Sequence, residues 1–324
     1  MMKSLPRLKV SESNARLRSN VMPQFTESKK AVQRCARGAT PPVRALTERD
    51  DEAEVLDFLA ERPVSTVVMR GLIRDNGLES PFNRGTFYAC RGEDGRLEGV
   101  ALLGHATFVE ARTEDALRAF ARLAQTVHDA HMILGEHELI SRFWSYYAPT
   151  GQTPRLFCRE LLFEQRWPVE AASVVPDLRP ATLDDLMLVM PVHAAMAYEE
   201  SGVNPLDVDL HGFRLRCARR IEHGRVWVLV EDGNLVFKAD IASDTHECTY
   251  IEGVYVDHAS RQQGYGLRCL SQLGRALLAR TEAVCALVNE QNLTAQALFL
   301  KAGYKLRGYY ETIFLERATR DAEV

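Results

Sequence analysis

The order of apolar and polar positions divides this chain into two halves. From Ser173 onward it predicts a strand (173–178), a helix (182–197), a loop (199–208) and a second helix (209–222). Strands follow at 225–231, 234–242 and 247–257, then a helix at 266–281. A strand (284–289), a helix (293–302) and a final strand pair (304–316) complete the pattern. The helices are read from apolar residues recurring three and four apart, such as Leu267, Leu270, Leu273, Leu277 and Leu278. The strands are read from short runs rich in β-branched and aromatic residues, such as Cys248 to Val256.

The earlier half repeats parts of this plan in the same order. Ala45 to Asp51 is similar to Asp177 to Thr182, an apolar strand running into a polar helix start. Glu93-Asp94-Gly95 is similar to Glu231-Asp232-Gly233, and both are Asp-Gly turns between apolar runs, a strong hairpin signal. Arg155 to Glu164 is similar to Arg307 to Glu316. Repeats in one order point to duplication. The expected organisation is a domain over 41–168 and a second over 173–318, with a boundary near Pro168 and Pro176. A basic extension over 1–40, either a disordered tail or a targeting leader, and a short tail over 319–324 flank them. The expected fold class is mixed α/β (α+β-like), each half a mostly antiparallel mixed sheet flanked by helices.

Composition narrows the class of function. The chain has 324 residues, suiting two domains, and a net charge of −4 that gives no reason to expect nucleic acid or an anionic membrane as partner. No apolar run approaches the roughly 18 residues of a membrane span. Seven cysteines, odd in number, widely spaced and without a CxxC pair, argue for a reducing, cytoplasmic setting and against a zinc site. His128, Asp129, His131 and His137 lack the further ligands a metal needs, so no metal is expected. Cys269, one turn into a helix, is expected to be packed.

The chemistry concentrates between Cys248 and Tyr304. Strict alternation along the strand would place Tyr250, Glu252, Val254 and Val256 on one face. Asp257 to Ser260 then breaks the pattern, and Arg261-Gln262-Gln263-Gly264-Tyr265-Gly266 leads into a helix. A strand, a glycine loop and a helix N-terminus bind anions, because the first helical N–H groups have no partner and the dipole is positive there. The glycines would let main chain approach a diphosphate. The pattern is neither a Walker A loop nor a dinucleotide fingerprint.

This R-x-x-G-x-G run after Val-Tyr-Val-Asp resembles the acetyl-CoA loop of the GNAT N-acetyltransferase superfamily. Ala286 to Asn289 resembles its next strand, and Asn292 to Tyr304 resembles its N-x-x-A-x-x-L-Y-x-x-x-G-F helix, with Phe299 at the tyrosine. The close resemblance covers about 60 residues. It implies acetyl transfer from acetyl-CoA to a primary amine of a small molecule or peptide, by direct attack in a ternary complex. Arg261 and the N–H groups of Gln263 to Gly266, with Gln262 beside them, would hold the pyrophosphate. Val254, Tyr255 and Val256 would pair with pantetheine, the N–H near Val254 polarising the thioester. Asn289, Asn292 and Phe299 would complete the cofactor side. Glu252, Glu199 and Glu200 are candidates for the base. Phe299 cannot donate a proton, so the candidate acids become Tyr304, with Tyr309 and Tyr310 as alternatives.

The earlier half lacks the glycine loop after Val109, as tandem members of this superfamily with one degenerate copy do. The same resemblance leaves three alternatives open: an acyl-CoA sensor without turnover, an enzyme for a longer acyl group, and assembly as a homodimer.

Overall fold

The computed structural model describes residues 43–169 and 174–316. The extension over 1–40, the tail over 319–324 and part of the boundary segment lie outside the described residues. No helix among the described residues is long and apolar enough to cross a membrane.

The first half runs β1 (Val43–Ala45), α1 (Glu52–Ala60), α2 (Val67–Asn76), β2 (Gly85–Arg91), β3 (Leu97–Gly104), β4 (Ala106–Ala111), α3 (Glu114–Ala124), β5 (Met132–Glu136), α4 (His137–Tyr147) and β6 (Pro154–Gln165). The second half runs β7 (Arg179–Pro180), α5 (Leu186–Ser201), α6 (Pro205–Glu222), β8 (Val226–Glu231), β9 (Asn234–Asp244), β10 (Thr249–Val256), α7 (Tyr265–Leu278), β11 (Val284–Asn289), α8 (Leu293–Lys301) and β12 (Lys305–Leu315). The succession of strands and helices is the same twice over.

The repeat extends to side chains. In one half Thr47 N–H donates to Asp50 at 2.8 Å and Arg44 pairs with the same carboxylate. In the other, Thr182 N–H donates to Asp185 at 2.8 Å and Arg179 pairs with it. Arg-x-x-Thr-x-x-Asp is thus one turn used twice, closing each β1-type strand onto its helix. The second Asp-Gly turn has both Asp232 and Gly233 at positive φ, the two-residue geometry that joins twisted strands tightly.

All twelve strands form one mixed sheet, in the order β1-β2-β3-β4-β5-β12-β6-β11-β10-β9-β8-β7. The two last strands are exchanged: β12 pairs with β5 of the first half, and β6 pairs with β11 of the second. They also pair with each other along their length, from Lys305 opposite Glu164 to Leu315 opposite Pro154. The final strand pair expected over 304–316 is therefore a single long strand; its hydrogen bonds go to both halves rather than to a hairpin partner. The described residues accordingly form one compact unit. Both faces of the sheet are covered. Core packing around α3 and α4 on one side includes Ile313 and Leu315 of β12, and that around α7 and α8 includes Leu161 and Phe163 of β6. On the other face α2 lies so close to β9 that a Cβ on Gly71 would meet Ser243 Oγ at 1.9 Å.

Because β12 separates β5 from β6, deleting residues 305–316 leaves both strands without partners at their buried edges. Such a chain is expected to lose the cooperative unfolding of both halves together. Thermal unfolding followed by circular dichroism checks this, and a half that still melts cooperatively would contradict it.

Candidate functional site

The glycine loop between β10 and α7 is held by local contacts. Asp257 accepts from Ala259 N–H at 3.0 Å and starts a short helical turn. Arg261 Nε then donates to Val256 O at 3.1 Å, tying the loop back to its strand. Gln262 (φ 62°) and Gly264 (φ 81°) take left-handed backbone, and the chain enters α7 at Tyr265. Gly264 is the N-cap, with no side chain closing the helix end and no acid in the first turn. A Cβ on Gly264 would find only Arg268 Nε, at 3.9 Å, so its φ is what requires glycine there. At Gly266 the reason is packing: a Cβ would lie 3.2 Å from Val256 Cγ2 and 3.5 Å from Leu298. The matching helix α3 of the first half is closed. Thr113 accepts from Ala116 N–H at 3.2 Å, and Glu114 and Asp115 occupy its first turn. An anion is welcome at α7 and repelled at α3.

Beside the loop, β10 and β11 run parallel and pair only at Thr249 with Val284 and Tyr250 with Cys285. Thereafter β10 stays with β9 and β11 with β6, so the two strands part company where a linear ligand can add to an edge. The ladder between β9 and β10 shifts register here: Glu252 faces Asp240 and Tyr255 faces Lys238, leaving Gly253 and Val254 together opposite one residue. Gly253 has φ 58°. This bulge corrects the expected alternation. One extra residue shifts a period of two. Tyr250 packs on the α2 side, whereas Val254 and Val256 pack against the core under α7 and α8. Glu252 therefore does not share the face of Val254.

In the first half, β4 and β5 also pair at only two positions. There, however, Arg62 bridges buried Glu110 of β4 and Glu136 of β5, and the β3–β4 ladder has no register shift. An ion triad spans the gap that stands open in the second half.

Acids gather at the open gap. Glu252 Oε1 accepts from Arg220 Nη1 at 2.7 Å, so one of its oxygens is committed to a guanidinium. Glu199 and Glu200 sit in the last turn of α5 rather than in a loop, because α5 continues to Ser201, which donates to Ala197 O at 2.8 Å. The connection to α6 shrinks to three residues, with Asn204 capping and Pro205 in the first turn. Glu200 is reached by solvent yet enclosed by protein on most sides. That desolvation raises its pKa to about 7, helped by the neighbouring charges of Glu160 and Glu252. Sequence reasoning missed Glu160. It comes from β6, is buried, accepts from Thr312 Oγ1, and is itself held above the usual carboxylate range by burial. The available signal was a carboxylate inside the run Leu156 to Phe163.

Four expected site residues also carry structural contacts. Tyr304 is buried in the core, edge-on to Phe299 at 5.0 Å, and its hydroxyl has no hydrogen-bond partner; burial pushes its ionisation far upward. It is therefore not placed to serve as acid. Phe299 is equally buried, stacked on Phe163 at 5.9 Å, and supports the core rather than a ligand. Asn292 Oδ1 caps α8 through Ala295 N–H at 3.0 Å, and Asn289 Oδ1 holds the preceding turn through Gln291 N–H at 2.8 Å. Cys269 is buried, and desolvation pushes its thiol up to about 12, as a packed cysteine requires. Replacing Tyr304 with phenylalanine is expected to leave turnover unchanged and stability equal or higher, by up to about 1 kcal/mol, since a buried hydroxyl without a partner is lost. Chemical denaturation and initial rates check this.

Near these acids a partly open cavity of about 280 Å³ is lined by both halves. His193, Ala197, Phe213 and Arg220 line it from α5 and α6, and Arg84 and His105 from the first half. His193, Asp240 and Glu252 bring ligand atoms within 4.8 Å of one another, a spacing a metal can use. Their charges are already matched: Lys238 lies 2.6 Å from Asp240 and Arg220 2.7 Å from Glu252. Burial lowers the His193 pKa to about 4, so it stays neutral there. This set is an ion-pair network.

Residues 193–304 match the acetyltransferase (GNAT) family. No curated protein sequence matches the chain. Among solved structures, a Drosophila protein is 14% identical with a TM-score of 0.61, over 86% of this chain and 99% of its own. A tandem GNAT protein from the clavulanic acid biosynthesis pathway is 13% identical with a TM-score of 0.55, over 86% and 99%. An acetyltransferase from the GNAT family of Colwellia psychrerythraea is 11% identical with a TM-score of 0.54, over 85% and 100%. At these identities the likeness is one of fold.

Proposed function

We propose that the chain is an acyltransferase that moves an acetyl group from acetyl-CoA to a primary amine, with a single working site in the second half. The observation that carries this reading is the conjunction of three features at one place. They are the side-chain-free N-terminus of α7, the parted and bulged edge of β10, and a carboxyl poised near neutrality beside it.

The pyrophosphate of the acyl donor fits the N–H groups from Gln263 to Gly266, with Gln262 and Arg261 shaping the loop. Pantetheine adds alongside Val254, Tyr255 and Val256 as an extra strand. Asn289 and Asn292 lie on the cofactor side with their amide nitrogens, their carbonyls being used by the backbone. Glu200 takes the proton of the incoming ammonium, directly or through one water, because a base works best with a pKa near the working pH. The freed amine attacks the thioester carbonyl, whose oxygen gains charge beside the Val254 N–H. The carbon–sulfur bond then breaks, CoA leaves as thiolate, and the second proton of the acylated nitrogen passes to that thiolate or to solvent. A thiol ionises near pH 8.5, roughly, so this departure needs little help, in keeping with Tyr304 and Phe299 lying in the core. Glu160 and Glu252 hold negative potential around the ammonium. The cavity takes the body of the acceptor, with the first half as one of its walls.

The test is release of CoA thiol from acetyl-CoA across a panel of primary amines. Amine-dependent release supports the reading. Saturable acetyl-CoA binding with no release for any amine would overturn it in favour of an acyl-CoA sensor.

A further inference from the structure

Lys238 and Asp240 are charged side chains with no exposed surface, and acyl transfer as derived above uses neither. They lie two apart on β9, on the same face of the sheet. Lys238 Nζ donates to Asp240 Oδ2 at 2.6 Å and to the carbonyl of Gly253 at 3.0 Å. Gly253 is the first residue of the β10 bulge. A Cβ there would lie 2.6 Å from Asp240 Oδ2 and 2.8 Å from Lys238 Nζ, so the pair occupies the space under the bulge to the last atom. Asp240 Oδ1 has no hydrogen-bond partner, and His193 and Arg220 stand 3.7 and 3.6 Å from the other oxygen. The first half supplies the comparison. Its β3–β4 ladder pairs Val100 with Glu110 and Ala101 with Val109 without a shift, and β3 carries no charged pair inside it.

Burying an ammonium and a carboxylate is costly, and apolar residues of the same size commonly do as well for stability. A pair kept in the middle of a sheet needs another reason. A regular ladder would point the Gly253 carbonyl at β9 backbone. Here that carbonyl is captured by a side chain instead, and the positive φ of Gly253 follows. We propose that Lys238, held by Asp240, is the positioning residue that creates the bulge and so aims the Val254 N–H at the thioester carbonyl. The inference rests on the acyl-transfer reading for its catalytic consequence, while its structural half stands alone.

The discriminating variant is Lys238→Met with Asp240→Leu, which removes both charges together and leaves none stranded. Thermal unfolding first establishes that it folds with a midpoint close to that of the wild type. Its crystal structure and its kinetics with acetyl-CoA are then compared with those of the wild type. The expected result is β9–β10 pairing with no shift between Glu252 and Tyr255 and with Gly253 at negative φ, and a kcat lower by about 100-fold, as displacing a reacting group by an ångström costs. Affinity for CoA itself, which has no thioester carbonyl, stays the same. A bulge that survives without the pair overturns the proposal. So does pairing without that shift but with unchanged kcat, which would show that the bulge does not aim the N–H. If the wild type releases no CoA with any amine, the acyl-transfer reading fails, and the bulge geometry of the variant still decides whether Lys238 creates it. Lys238→Arg, which keeps a donor for the Gly253 carbonyl, should recover part of the lost rate if it folds with the bulge intact.

Discussion

Glu200→Gln is expected to lower kcat by on the order of 100-fold or more while leaving acetyl-CoA affinity unchanged, the usual loss when a general base is removed. The same change is expected to make the protein more stable at neutral and alkaline pH. The signs follow from the raised pKa. An ordinary glutamate ionises near 4.5, whereas Glu200 in the folded chain ionises near 7. Between those values the folded state binds more protons than the unfolded one, so this group lowers stability as pH rises from about 4.5 to about 7. Above pH 7 the whole penalty is present, reduced by the solvent that reaches the carboxyl. Glutamine carries no such penalty. The wild-type rate should rise with pH along an ionisation near 7, and the glutamine variant should lose that limb of the profile. Rates between pH 5 and 9, with urea midpoints at pH 5 and 8, measure both. An unaltered pH–rate profile in the variant would move the base elsewhere, with Glu252 and Glu199 next in line; the Arg220 contact makes Glu252 the poorer candidate.

Gly264→Glu is expected to abolish the stabilisation given by acetyl-CoA. A ligand at 100 times its dissociation constant stabilises the folded state by about 2.7 kcal/mol, a shift of several degrees for a chain of this size. Glutamate at the cap of α7 places a negative charge where the helix end is positive and the diphosphate is to bind. Apart from the ligand, the variant should unfold somewhat earlier, by about 1–2 kcal/mol, because a side chain at φ 81° is strained. Gly264→Asn separates the two effects, since asparagine tolerates left-handed backbone and adds no charge. It should keep most of the ligand-induced shift. If the glutamate variant shifts as far as the wild type, the loop is not the anion site.

Much of the second half was legible in the sequence because its signals are local. Gly264 and Gly266 between an apolar strand and a leucine stripe specify a strand–loop–helix unit by backbone sterics alone. Asp232-Gly233 specifies a tight hairpin for the same reason. The length of α5 was misjudged because two acids oppose the dipole at a helix C-terminus, so Glu199 and Glu200 read as lying beyond its end, and the cap that ends the turn is Gly202 with φ 66°. The bulge escaped notice because Thr249 to Val256 contains an unbroken alternation. What interrupts it is a carbonyl captured from the neighbouring strand, 15 residues away in sequence. Tyr304 and Phe299 stand in the helix motif that carries the resemblance, but only packing shows that the two rings meet edge-on and that Phe299 stacks on Phe163.

By itself the sequence determined most element types, the repeated order of elements and a helix N-terminus without a capping side chain, since each depends mainly on residues near one another in the chain. The tertiary structure decided the rest. Exchange of β6 and β12 turned two halves into one sheet, because edge strands pair with whatever complementary edge is nearest in space. That exchange brought Glu160 from the first half to the acids of the second. Enclosure there, rather than residue type, is what raised the Glu200 pKa toward neutrality, since desolvation is set by all the atoms that fold around a carboxyl and not by its neighbours along the chain.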